Sequence, residues 1–154
     1  MISKMKRIHN TTNANLVVKD KYSYPRPLSV FKPEGIWYGI DLSWVEWCQE
    51  NMPSWVHKYF YELTIDLSNI IVISNLEELN RFSKRFVLKD SPAFLKDFSI
   101  DWKAVSNDFY GIEINPYLWE ARLERPYLWY YGWDVSGGCI WNTKAIIDVK
   151  KYLE

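Results

Sequence analysis

The apolar residues of this chain come in short blocks with two different periods. Met5–His9, Gly35–Ile40, Tyr59–Ile65, Asn69–Ile73 and Tyr110–Ile114 are short blocks of this kind, the last four rich in β-branched and aromatic residues. Turn formers bound them, Asp66–Ser68 between the third and fourth and Asn115–Pro116 after the fifth, so the spacing predicts strands. Elsewhere the period becomes helical. Trp44, Val45, Trp47 and Cys48 share one face over Trp44–Asn51, and Leu76, Leu79, Phe82 and Phe86 recur at helical spacing further on, each predicting a helix with that face in the core. Both helices are preceded by Ser-x-x-Glu, Ser43 with Glu46 and Ser74 with Glu77, the spacing of a capping box. Pro53 limits the first of them. A third helix is expected over Asp101–Phe109, burying Trp102, Val105 and Phe109.

The final third predicts strands at Trp129–Val135 and Cys139–Trp141 around a break at Ser136–Gly138, with Ala145–Ile147 after them. Three prolines between Lys19 and Glu34 prevent a helix there and predict an ordered loop or lid. Strands interleaved with helices, without βαβ regularity, indicate an α+β fold with a mostly antiparallel or split sheet. Neither a GxGxxG turn nor a GxxxxGK[ST] loop occurs. At 154 residues the chain reads as a single globular domain, residues 1–154.

Composition narrows the function classes only moderately. With 48% hydrophobic and 25% charged residues the chain is globular in type, and 19 basic residues balance 19 acidic ones. No strong field therefore draws it to duplex nucleic acid or an anionic membrane. Two local basic groups stand out, Lys4, Lys6 and Arg7, and Arg81, Lys84 and Arg85, both read as solvated faces. The aromatic share of 18%, with nine Trp, fits a core, an interface or a ligand pocket equally. Cys48 and Cys139 have no metal-ligand spacing around them, and no apolar run follows the basic opening residues. The expectation is a cytoplasmic protein without metal, disulfide or membrane partner.

Few residues are candidates for chemistry. His57 reads as structural, whereas His9 ends a strand, where its imidazole either faces a cleft beside the Thr11 hydroxyl or lies on the surface. Ser136 lacks a GxSxG elbow, and Cys139 in an apolar strand reads as a buried thiol. Among the acids, Glu113 alternates with Ile112 and Ile114 and so faces away from them, and Asp134 sits between Trp133 and Val135 just before the glycine pair. Glu113 and Asp134 are the candidate catalytic acids, with His9 beside them. Glycines at 137 and 138 would let a backbone approach a ligand closely.

Taken in order, these segments resemble the ADP-ribosyltransferase superfamily in its His-Tyr-Glu branch. His9-x-Thr11 is similar to the first-strand motif, and Gly35-Ile-Trp-Tyr38 followed by a helix is similar to the second. The resemblance implies an ADP-ribosyltransferase-like fold and an enzyme that cleaves NAD, its substrate, and transfers ADP-ribose to a protein or nucleic-acid acceptor. His9 and Thr11 would contact the nicotinamide ribose, Trp37 or Tyr38 would stack on the ring, and Ser136 and Gly137 would border the dinucleotide. At the position of the family's glutamate this chain has Ser136, Gly137 and Gly138. Asp134 or Glu113 would have to substitute for it. The alternative is a non-catalytic nucleotide-binding or protein-interaction module, such as a phage or toxin–antitoxin effector or inhibitor. The segments Lys32–Tyr38 and Gly132–Trp141 also resemble stretches of uncharacterised bacterial and phage proteins.

Overall fold

The computed structural model describes residues 4–16, 18, 31–125 and 127–152. Seven strands make one mixed sheet: β1 (Arg7–Thr11), β2 (Ile36–Ile40), β3 (Tyr59–Ile65), β4 (Ile70–Ile73), β5 (Gly111–Ile114), β6 (Gly137–Ile140) and β7 (Ile146–Lys151). Their order is β4-β5-β6-β2-β1-β3-β7, and every neighbouring pair is antiparallel except β4 with β5. A parallel pair requires a crossover. The chain supplies it with α2 (Leu76–Arg85) and α3 (Trp102–Asp108), while α1 (Ser43–Asn51) connects β2 to β3. The fold is thus α+β, with a sheet that is mixed and continuous rather than split.

Side-chain alternation gives the sheet two apolar faces. On one, Ile112, Ile114 and Cys139 pack with Leu79, Phe82, Trp102, Val105, Trp129 and Trp133. On the other, Ile36, Tyr38, Ile40, Leu63, Ile65, Ile70 and Ile140 form a second cluster. Three of the late tryptophans, Trp129, Trp133 and Trp141, are core residues, and Trp119 is 69% exposed.

Several expected details differ. Ser43 does not cap α1: its hydroxyl donates to the Ser136 carbonyl 3.2 Å away, and the cap residue Leu42 makes no side-chain bond. The cap of α2 is shifted by one residue, since Asn75 accepts from the Glu78 amide and Glu78 accepts from the Ser74 amide. Leu76 is consequently left exposed. Of the α1 face only Cys48 is buried. Trp44 instead stacks on Trp47 at 5.4 Å and on Trp55 at 6.2 Å, and Trp47 meets Trp55 at a tilt at 6.0 Å. The segment expected as a strand at Trp129–Val135 begins within a 3-10 turn, Leu128–Gly132, that drives Trp129 and Tyr130 into the core. The glycine pair lies inside β6 and does not interrupt it. The predicted loop Lys19–Glu34 lies outside the described residues over positions 19–30.

Candidate functional site

Three central strands build a buried polar triad from sequence-distant residues. Tyr38 on β2 stands opposite Gly138 on β6, and Gly138 stands opposite Glu113 on β5. Because Gly138 has no side chain, the Tyr38 ring passes over it and its hydroxyl donates to Glu113 Oε1 at 2.9 Å. Arg7 on β1 completes the set, with Nε 2.6 Å from Oε1 and Nη2 3.1 Å from Oε2. The two side chains of this ion pair are 14% and 3% exposed. Glu113 therefore does not face solvent, and Arg7 does not belong to a basic surface patch. The Glu113 bond raises the pKa of Arg7, and burial, reinforced by Glu113, pushes the Tyr38 hydroxyl well above its ordinary range.

On the other face of the sheet, where β1 and β2 part beyond the Ile8–Gly39 pair, a cleft of about 270 Å³ opens. Three indoles line it, those of Trp37, Trp44 and Trp133. Trp37 and Trp133 meet edge to face at 4.9 Å, and the Lys32 ammonium lies 5.0 Å from the centre of the Trp37 ring. Although Lys32 is exposed as a residue, burial of its ammonium end lowers its pKa, with Asp134 acting in the opposite sense. Trp133 Nε1 is a buried donor that has no acceptor among the described residues. An unmet buried donor costs about 1–3 kcal/mol. Asn10 lines the cleft too, but its amide is used up by His57 N, His57 O and Tyr59 O, which ties the His57 segment beside β1.

His9 reaches the cleft through a substitution in the ladder. Its Nδ1–H donates to the Trp37 carbonyl at 2.5 Å, the group that backbone pairing leaves free where β1 diverges. Neutral His9 then carries its lone pair on Nε2. Burial is the main cause that lowers its pKa below the ordinary 6.5, with the Trp37 bond opposing it. A depressed pKa means that the folded chain binds fewer protons here than the unfolded chain. The stability so contributed is present above 6.5 and lost as pH falls through the folded value. We expect the melting temperature to fall between about pH 7.5 and 5.5, and His9→Gln to flatten that fall. Identical slopes in the two proteins would assign the effect to other groups.

Of the residues expected in a site, His9, Trp37, Tyr38, Asp134 and Gly137 all border this cleft. Tyr38 contributes little ring surface, being 5% exposed with its hydroxyl committed to Glu113, so Trp37 is the available aromatic wall. Asp134 is paired with Arg122 at 3.3 Å, and Arg122 also donates to the Tyr117 hydroxyl at 2.7 Å. Glu113, Thr11 and Ser136 do not line the cleft. Thr11 Oγ1 accepts from the Asn13 amide, and the Ser136 carbonyl holds Ile40 and Ser43. Sequence reasoning did not single out Lys32, Trp44, Arg122 or the Arg7 partner. Only the last had a signal: an acid in an apolar strand requires a cation if its face is covered.

The fold and the cleft define an α+β protein with an indole-walled pocket at a strand divergence. No family model, no characterised protein and no solved structure compared with this chain matches it. Among the described residues no group of three or more His, Cys, Asp or Glu could hold a metal ion, and no helix is long and apolar enough to cross a membrane.

Proposed function

We propose that this protein binds a flat, negatively charged small molecule of the nucleotide type in the cleft beside Trp37, without turning it over. The observation that carries this reading is the polarity of the indole-walled space. Its polar groups include the Lys32 ammonium, which lies over the Trp37 ring and makes no ion pair among the described residues, and the Trp133 Nε1–H, which has no acceptor among them. Indole faces suit a flat ring, and donors suit phosphate or carboxylate oxygens. At about 270 Å³ the cleft lies just under the range of roughly 300–1,000 Å³ that encloses drug-sized ligands. A nucleoside unit suits it better than an entire dinucleotide.

The charges also favour binding over NAD cleavage. Stabilising an oxocarbenium ion needs a carboxylate whose charge is not already answered. Asp134 is answered by Arg122 and Glu113 by Arg7, and the Lys32 ammonium over Trp37 opposes a cationic nicotinamide ring there. One observation supports the enzymatic reading of an ADP-ribosyltransferase-like protein: His9, Trp37, Tyr38 and Asp134 border one cleft.

Thermal shift with AMP, ADP-ribose and NAD tests the binding, and nicotinamide release from NAD separates the two readings. Binding should stabilise the fold by about 2.7 kcal/mol at one hundred times Kd. Trp37→Ala and Lys32→Gln are each expected to weaken that binding about tenfold, in line with the loss of a stacking face or a charge-assisted bond. No shift with any of the three would sink the binding reading. Nicotinamide release from NAD that is abolished by Asp134→Asn would establish the enzymatic one.

A further inference from the structure

A second concavity, a groove of about 560 Å³, shares Asp134 and Val135 with the cleft, and α1 borders both through different residues, Trp44 in the cleft and Glu46, Trp47 and Glu50 in the groove. Trp47 of α1 and Trp119 with Tyr117 supply its aromatic surface. Trp119 is 69% exposed and is held by the Tyr117 ring, which meets it edge on at 4.7 Å. A large rigid indole presented in this way is the usual anchor of a protein interface. Elsewhere this chain covers such rings with its own cations, Lys32 over Trp37 and Arg122 over Tyr131. Trp119 has no such cover among the described residues.

The charges around that indole are unbalanced. Glu46 and Glu50 both line the groove, one helical turn apart on α1. Like charges at this spacing repel, and neither makes an ion pair among the described residues. Glu46 lies in the first turn of α1, whose cap residue Leu42 makes no side-chain bond. The cation of the groove, Arg122, is already engaged by Asp134, Tyr117 and the Tyr131 ring. An exposed indole that shares a groove with two carboxylates making no ion pair among the described residues is complementary to a cation. A phosphate backbone would meet repulsion from Glu46 and Glu50.

We propose that this groove docks a partner polypeptide through a lysine or arginine side chain seated on Trp119 and faced by Glu46 and Glu50. The surface is independent of the ligand in the cleft, since neither Trp119 nor either glutamate lines that space. Fluorescence anisotropy with labelled octaarginine tests it. Saturable binding that weakens as salt rises from about 20 to 150 mM is expected. Trp119→Ala should weaken it about three- to tenfold, and Glu46→Gln/Glu50→Gln about two- to fivefold while removing most of the salt dependence. All three positions are exposed, so the variants should melt with the wild type. An absence of saturable binding, or equal affinity in wild type and both variants, overturns the proposal. So does an octaglutamate or oligothymidine probe whose binding is lost in Trp119→Ala. The nucleotide-induced thermal shift is read separately on the same proteins, so either result stands without the other.

Discussion

Glu113→Ala is expected to lower the melting midpoint by roughly 10 °C, equivalent to about 3–5 kcal/mol for a chain of this length. The substitution leaves the Arg7 guanidinium, 14% exposed, without its counter-charge, and leaves the Tyr38 hydroxyl without an acceptor inside an apolar cluster. The cost comes from the orphaned partners rather than from the net worth of the ion pair. The triple variant Arg7→Met, Tyr38→Phe, Glu113→Leu should therefore recover most of the loss. Chemical denaturation of both variants measures this. A triple variant as unstable as Glu113→Ala would show that the charged triad itself holds the strands together.

Gly138→Ala should be comparably damaging, by about 3 kcal/mol or more, at the upper end of overpacking costs. A Cβ at this position would overlap the Tyr38 hydroxyl and lie 2.5 Å from the Ile112 carbonyl oxygen. The first neighbour cannot swing away without breaking its bond to Glu113, and the second is backbone of the adjacent strand. Combining the substitution with Tyr38→Phe removes the hydroxyl overlap alone. The double variant should recover part of the loss and not all of it, because the contacts with the ring carbon Cζ of residue 38 and with the Ile112 carbonyl persist. Full additivity of the two single effects would mean that the ring and the glycine do not interact.

Much of the secondary structure was legible because it rests on local chemistry. Tyr59–Ile65 carries its strand in its own residue types, and Asp66 accepts from the Ser68 amide to shape the turn that follows. Asp101 caps α3 through the Ala104 amide. The errors arose where a distant group competed for a local one. Ser43 carries a sequence signature of a cap, yet the Ser136 carbonyl, far along the chain, takes its hydroxyl. The glycine pair of β6 suggested a break or a ligand contact. Its role at position 138 is close passage of a tyrosine from the neighbouring strand.

The candidate site divides in the same way. That His9, Trp37 and Asp134 are unusual could be seen from their neighbours in the chain, and they do border one cleft. Their charge states and partners were not visible. Whether Asp134 acts as a free acid depends on Arg122, and whether Glu113 faces water depends on Arg7, 106 residues away in sequence.

The sequence by itself determined most of the strand and helix blocks, though not the Trp129–Val135 segment, and with them the α+β class and the short set of residues worth testing, since these follow from side-chain periodicity and backbone propensity. Tertiary structure alone decided the order of the strands, which pairs Tyr38 with Gly138 and Gly138 with Glu113. It also decided which charges are answered and which are left open. The physical reason is that periodicity and propensity act over a few residues, whereas burial and ion pairing act through space between segments whose meeting no local pattern encodes.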